Sequence, residues 1–582
     1  MGASDSSDER TPLPNPPLHS EGREQNGNIA ASLPRLARER PEQIAIRCPG
    51  RNGRYDIALT YAQLDARSDA IAAGLAKHGI ARGTRTVVMV RPTPEFFLLM
   101  FALFKAGAVP VLVDPGIDKR ALKQCLDEAK PEAFIGIPLA HAARILLRWA
   151  PSARTRITTG TQAWLADATL AQIERAGQGA ASQLADTQAD DIAAILFTSG
   201  STGVPKGVVY RHRHFVAQVG MLRDAFGIEP GGIDLPTFPP FALFDPALGL
   251  TSIIPDMDPT RPAQADPRKL VRAIERFGVT QLFGSPALMD VIARHGVHLP
   301  TIRRVTSAGA PVAAGVVAKM RSLLPDDAQF WTPYGATECL PVAVIEGREL
   351  VTLRERTEQG AGTCVGRAVP PNLVRLIRVD DDAIETWSDD LQVAGGLVGE
   401  ITVAGPSVTD SYFNRPEATR LAKTRETLPP LPLAGEGWGE GARAAGERIV
   451  HRMGDLGYFD REGRLWFCGR KSQRVVTVRG TLCTEQVEPV FNTHPEVRRT
   501  ALVGIGTRGT QTPVLCVELR KGVARTEHER IAEELLHIGE GFVHTAKVET
   551  FLFHPGFPVD IRHNAKIGRE KLAAWAARRV RA

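Results

Sequence analysis

The stretch DIAAILFTSGSTGVPKG, residues 191–207, sets the architecture expected for this chain. After Asp191 the run IAAILF is apolar without a break and short enough for a buried strand. Glycine, serine and threonine then crowd around a single lysine. Glycines let successive backbone N–H groups converge on an anion. Thr198, Ser199, Ser201 and Thr202 add hydroxyl donors, Gly200 and Gly203 permit the turn, and Lys206 supplies a mobile positive charge. The spacing is not GxxxxGK[ST], so the ordinary P-loop does not apply. A strand running into a phosphate-gripping turn is expected.

Outward from this turn, helix and strand patterns alternate. In LTYAQLDARSDAIAAGLAKHGI (59–80) the apolar Leu64, Ile71 and Leu75 fall at helical spacing, and Gly79 can end the helix. TRTVVMV (84–90) reads as a strand, Pro94 opens a helix over 94–106, and AVPVLVD (108–114) is a second strand. KPEAFIGI, VTQLFG and IRRVTSAG repeat the pattern, which predicts parallel α/β layers. GEITVAGPSV and GRLWFCG instead have the composition of β-rich structure. The run FFLLMFALFKAG (96–107) is too short to span a bilayer and predicts a buried helix, with an acyl-binding surface as the alternative.

The expected fold is α/β: a large N-terminal region of layered subdomains over 31–469, then a small mobile α+β domain over 470–582. Residues 1–30 are expected to be a disordered tail. The Gly-, Pro- and Ala-rich segment 421–448 is expected to be a flexible insert, with a substrate lid as the alternative. At 582 residues the chain is too long for one core. A net charge of +6 with dispersed arginines argues against nucleic acid as a partner. Seven cysteines without a CxxC pair, and no secretory signal, favour a reducing, cytoplasmic setting. Fourteen histidines contain no tight ligand motif for zinc.

Four further sites carry candidate chemistry. WTPYGATE (331–338) offers Tyr334 for stacking on a purine and Gly335 for close approach of a base. Thr337 and Glu338 offer oxygens for phosphate and Mg²⁺; alternatively the Thr–Glu pair starts a helix. GDLG (454–457) places Asp455 in a turn where it can accept ribose hydroxyls, and Arg470 near the domain junction can bind ribose or phosphate. NAKIGREKL (564–572) presents Lys566, which matters only if the small domain carries it into the cleft.

Together these strings resemble the superfamily of adenylate-forming enzymes, over about residues 40–580. TSGSTGVPKG resembles its phosphate loop, SAGAP (307–311, with Gly309, Ala310 and Pro311) its adenine-lining segment, and YGATE its aromatic–Gly–x–Thr–Glu motif. GEITVAGPSVTDSYFNRPEAT (399–419) resembles the stretch before the hinge, and Asp455, Arg470 and Lys566 match the ribose, hinge-side and C-terminal lysine positions. The resemblance implies ATP and Mg²⁺, the ion held by Thr198 and Glu338, and attack of a carboxylate on the α-phosphate. Lys206 and Lys566 would offset charge on phosphorus. His212 resembles the histidine that follows the phosphate loop and is carried as a catalytic candidate with a supporting role. Three places depart from the thioester-forming pattern: Ser472 at the hinge, Ser411–Tyr412 after GPSV, and PPFALFDPALGL (239–250), which lacks a histidine.

ATECLPV (336–342) and FPPFALFDP resemble the branch of the superfamily that closes β-lactones in bacterial olefin biosynthesis. That branch implies a long-chain 2-alkyl-3-hydroxyalkanoic acid as substrate, its own 3-hydroxyl as nucleophile, and release of AMP and pyrophosphate. Phe238–Leu250 and the 96–106 helix would enclose the alkyl chains, unless they are core alone. Cys339 is expected to line a pocket rather than act as a nucleophile. A long-chain acyl-CoA ligase is the alternative activity, and a nucleotide-binding sensor without turnover the alternative class. The pathway also implies partner enzymes that make the acid and decarboxylate the lactone.

Overall fold

The computed structural model describes residues 27–50, 52–114, 116–181, 184–198, 205–428, 446–559 and 567–580. A seven-stranded sheet runs in the order Ala168–Thr169, Thr155–Thr158, Ala133–Gly136, Arg85–Met89, Val109–Leu112, Ile192–Phe197, Gly207–Arg211. All neighbours are parallel except the last pair. The strands on either side of segment 198–206 are therefore antiparallel, with Phe197 opposite Gly207. The strand appears where expected, and a second strand begins at Gly207; residues 199–204 between them lie outside the described residues.

A fourteen-stranded sheet supplies the other wall. Its parallel part contains Ile233–Pro236, Gln281–Gly284, Arg304–Ser307 and Gln329–Ala336. It continues antiparallel through Cys339–Glu346, Thr363–Ala368, Leu465–Arg470, Glu447–Phe459 and Gly399–Ala404. Beyond Arg470 the strands form separate small sheets. Val475–Thr477 pairs with Gly480–Leu482, and Val497–Ile505, Thr512–Leu519 and Phe551–Phe553 form a three-stranded sheet. Helices Thr484–Phe491, His528–Glu540 and Arg569–Val580 accompany them. The chain is thus a large α/β part followed by a smaller α+β part.

Local chemistry explains the main helices. Tyr61–Lys77 begins at Thr60, whose side chain accepts from Gln63 N–H while the Gln63 side chain returns to the Thr60 backbone. Leu64, Ile71 and Leu75 are all fully buried. Pro94–Lys105 starts on its proline and is buried on every face except at Glu95. This is core, not an acyl-binding surface. Its last residue, Lys105, has no exposed surface and bonds Asp65 Oδ1 at 2.6 Å and Asp69 Oδ1 at 2.8 Å. Both partners lie one turn apart on Tyr61–Lys77, so one buried cation clamps two helices. Among the described residues no helix is long and apolar enough to cross a membrane.

Two expectations need correction. Residues 27–30 are ordered: Asn28 is buried, accepts from Ala30 N–H and donates its Nδ2 to Phe104 O at 2.7 Å. The polar composition hid a side chain that satisfies two buried backbone groups. The flanks of the 421–448 segment are also ordered. Lys423–Thr427 pairs with Glu447–Phe459, and Glu426 takes bidentate contacts from Arg375 and Arg448. The interior, 429–445, lies outside the described residues.

Removing Lys105 would take away the buried cation that Asp65 and Asp69 share. Lys105→Ala should lower stability by about 3–5 kcal/mol, read from denaturant titration of the large part; a loss below 1 kcal/mol would show that the pair is dispensable.

Candidate active site

Thr198 and Lys206, which flank the segment expected to grip phosphate, are joined by two bonds. Thr198 N–H donates to Lys206 O at 3.0 Å, and Lys206 N–H donates to Thr198 Oγ1 at 3.3 Å. Ser199, Gly200, Ser201, Thr202 and Gly203 lie outside the described residues, as does Lys566. The Lys206 ammonium sits 4.9 Å from the centre of the Tyr412 ring, a cation–π contact.

Tyr412 also reaches the second motif. Its hydroxyl donates to Glu338 Oε1 at 2.6 Å. One ring therefore touches the ammonium of Lys206 and the carboxylate of Glu338. The backbone enforces this position: Phe413 N–H donates to Gly207 O at 2.7 Å, and Val209 N–H to Ser411 O at 3.1 Å. Asp410 fixes the same segment through Arg211 at 2.6 Å and Arg213 at 2.7 Å. Burial works against that carboxylate, but hydrogen bonds from His214, Arg213 and Arg211 hold it well below the usual range.

Thr337 and Glu338 form the turn between strands Gln329–Ala336 and Cys339–Glu346, not the start of a helix. The turn is held from outside. Tyr210 Oη donates to Thr337 O at 2.5 Å, and Thr409 donates both N–H and Oγ1 to Glu338 O at 2.9 and 3.0 Å. Gly335 serves this hairpin: a Cβ there would lie 2.9 Å from Cys339 O. Behind Thr409 sits Lys423, buried, donating to Thr409 Oγ1 at 3.2 Å. Burial pulls its ammonium down to about 8, with Glu338, Cys339 and Asp410 partly restoring it. Cys339 is buried 3.5 Å from Ser407 Oγ, and burial pushes its thiol up to about 11. That is a buried core thiol with no exposed surface, suited neither to line a pocket nor to act as a nucleophile.

Asp455 lies within the strand Glu447–Phe459, directly opposite Arg470, and not in a turn as its flanking glycines imply. Only Gly454 adopts a positive φ. Tyr334 Oη donates to Asp455 Oδ2 at 2.6 Å. Oδ1 forms an ion pair with Arg470 Nη1 at 3.0 Å, yet no hydrogen bond of good geometry reaches this buried oxygen. Burial raises the carboxyl's pKa despite Arg470 and Tyr334. A buried acceptor with spare capacity fits a ribose diol, so the donor set suits a nucleoside. Glu338, held at one oxygen by Tyr412, offers the other kind of ligand that a hard cation takes.

Gly309, Ala310 and Pro311 follow strand Arg304–Ser307; Gly309 has φ +100°, and Gly309 and Pro311 are exposed. His212 stands apart from this group. It is fully buried at the start of helix His212–Phe226, and its Nδ1 accepts from Ile29 N–H at 3.1 Å. Burial pulls it down to about 4, so it is neutral. This bond ties down the N-terminal segment, in keeping with a supporting role. Next to Arg470, Lys471 pairs with Glu400 at 2.9 Å, beside Arg452.

An apolar wall leads away from the Thr337–Glu338 turn. Tyr210 stacks on Phe215 at 4.5 Å between ring centres; Phe215 meets Phe244 at 6.2 Å, and Phe244 meets Phe241 at 6.3 Å. Phe241 touches Phe283 at 4.4 Å and Phe238 at 5.6 Å, and Phe238 is exposed. A continuous run of rings thus connects the polar turn with the surface.

Tyr412, Thr409, Lys423 and Tyr210 were not among the candidates from sequence. Tyr412 stood in a motif already singled out, but nothing local to it reveals contact with residues 74 and 206 positions earlier.

The sequence model of the family described as AMP-binding enzyme matches residues 33–413. The chain is 70% identical over 555 residues to an olefin beta-lactone synthetase from Xanthomonas campestris pv. campestris, covering 94% of this chain and 97% of that protein. It is 68% identical over 556 residues to an olefin beta-lactone synthetase from Stenotrophomonas maltophilia (strain K279a), covering 94% and 98%. Among solved structures, the amide bond synthetase McbA from Marinactinospora thermotolerans aligns with a TM-score of 0.74 at 22% identity, covering 94% of this chain and 99% of that one. The ATP-bound RpMatB-BxBclM chimera B1 aligns at 0.72 and 20% identity, covering 95% and 99%. At such identities the structures speak for the fold alone.

Two outcomes follow from this geometry. Tyr412→Phe deletes one bond to a charged acceptor, a loss of about 1.5–3 kcal/mol; ATP–pyrophosphate exchange should fall roughly ten- to hundredfold, and an unchanged rate would remove Tyr412 from the site. Lys423 gives a pH signature. The unfolded chain holds more protons than the folded one between about 8 and the ordinary lysine value of 10.5, so stability should rise as pH climbs through that window. Lys423→Met should flatten a thermal-midpoint gain on the order of a few degrees.

Proposed function

The chain belongs to the AMP-binding enzyme family, and from that premise we propose that it is an AMP-forming ligase that closes a β-lactone from a long-chain 2-alkyl-3-hydroxyalkanoic acid. It binds ATP. The acid's carboxylate attacks the α-phosphorus and pyrophosphate leaves, giving an acyl-adenylate. The 3-hydroxyl oxygen then attacks the acyl carbonyl, the hydroxyl proton is lost, and AMP departs. The nucleophile is part of the substrate, so positioning replaces a second substrate, and effective molarity lowers the barrier to a strained ring.

The observation that carries this reading is the run of rings from Phe238 to Tyr210. It brings an apolar wall to the same turn where Tyr412 joins Glu338 to Lys206. A long-chain acid lying along that wall places its carboxylate at the charged end. The near-complete match to two olefin beta-lactone synthetases supports the lactone over a thioester.

The remaining roles are part of the proposal. Lys206 and Lys566 offset negative charge on the reacting phosphate. Asp455 accepts the ribose hydroxyls beside Arg470, while Tyr334, Gly309, Ala310 and Pro311 border the base. Glu338 and Thr198 would hold Mg²⁺, which would neutralise phosphate charge. The enzymes that supply the hydroxy acid and decarboxylate the lactone are the partners this chemistry requires.

Incubation with ATP, Mg²⁺ and a synthetic long-chain 2-alkyl-3-hydroxy acid, without coenzyme A, should yield AMP, pyrophosphate and the lactone. Product that appears only when coenzyme A is added would identify an acyl-CoA ligase instead. In the same assay Lys566→Ala should depress adenylation far more than ATP affinity; equal losses would contradict its assigned place.

A further inference from the structure

A second face of the molecule combines apolar exposure with unpaired positive charge. Helix Pro138–Leu147 follows strand Ala133–Gly136 of the seven-stranded sheet, and His141 is its only fully buried residue. His141 packs edge-on against Phe134 with ring centres 5.1 Å apart, and its Nε2 contacts Ile157 O at 3.0 Å. The outer stripe is greasy. Leu139 is 69% exposed, Leu146 81% and Ile145 58%; across the adjoining loop Trp164 is 82% exposed. Leu139 and Leu146 are seven residues apart and share one helix face. A soluble helix normally puts its leucines inward.

Beside this stripe is a cavity of about 510 Å³, lined by Ile145, Trp149 and Trp164 and by Arg144, Arg148 and Arg156. Its one lining carboxylate, Asp167, is already paired with Arg156 at 2.7 Å. Arg144 lies 5.9 Å over the Phe134 ring, and its buried Nε has no hydrogen-bond partner. Among the described residues neither Arg144 nor Arg148 has a carboxylate partner. The cavity therefore offers two cations to an anion, next to side chains that favour hydrocarbon. Indole and leucine at such a boundary, with arginine beside them, match the two chemistries of an anionic lipid surface.

We propose that this face docks onto an anionic lipid surface, a headgroup phosphate seated between Arg144 and Arg148 while Leu139, Leu146 and Trp164 enter the acyl region. The area of contact is small, so binding is reversible and depends on charge. The face is distinct from the adenylating turn and needs no turnover to be tested.

Flotation of the full chain with vesicles tests it. Vesicles of phosphatidylcholine mixed with phosphatidylglycerol should carry the protein upward, and phosphatidylcholine alone should not. Arg144→Gln with Arg148→Gln should weaken partitioning about thirtyfold, and raised salt should do the same in the parent. Leu146→Ser with Trp164→Ser should also abolish flotation. Unchanged near-ultraviolet circular dichroism and thermal midpoint in each variant exclude misfolding as the cause. Flotation that is equal on both vesicles, absent from both, or unaltered by the arginine changes would overturn the proposal. So would sedimentation showing a dimer that Leu146→Ser dissolves, since the face would then be a contact between copies. The lactone assay reads a different site, so either result can fail without the other.

Discussion

Tyr412 stands where two sheets meet, and its position constrains everything at the site. The backbone around it pairs with strand Gly207–Arg211 of the seven-stranded sheet. Its hydroxyl grips Glu338 on the hairpin of the fourteen-stranded sheet, and its ring lies under Lys206. A cation from one sheet and an anion from the other are thereby held apart by an aromatic ring instead of collapsing into a direct ion pair. Both charges stay available to a third party. A contact pair between them would have satisfied each and left little for a phosphate or a cation to gain.

The polar groups around this joint are held by bonds that run behind the reacting face. Thr409 and Tyr210 bind the backbone of the Thr337–Glu338 turn and leave its side chains free of those bonds. Lys423 supports Thr409 from the core, and Arg211 and Arg213 anchor Asp410. Asp455 and Arg470 sit opposite each other on neighbouring strands, so sheet register sets their spacing without help from a loop. Placing such groups on strands gives the precision that a positioned adenylation demands.

Much of the fold was legible because its signals are local. Alternation of strand and helix, the buried run 94–105 and the apolar strand before Lys206 all depend on neighbours in sequence. The misreadings share a cause as well. Glycines around Asp455 spoke for a turn, but cross-strand pairing extended the strand through them. Thr337–Glu338 had the composition of a helix start, but Gly335 lets two strands approach too closely for one. Lys423 fell in a segment of loop-like composition, and only its partner strand makes it core.

Lys105 and its two aspartates illustrate how such a structure resists gradual change. Two partly buried carboxylates on one helix share a fully buried cation from the other, so exchanging the lysine alone takes away the charge that both of them answer. A homologue that replaced this trio with aliphatic side chains would have had to cross an unstable intermediate or alter several positions together. Descent with modification should therefore treat residues 65, 69 and 105 as one inherited unit.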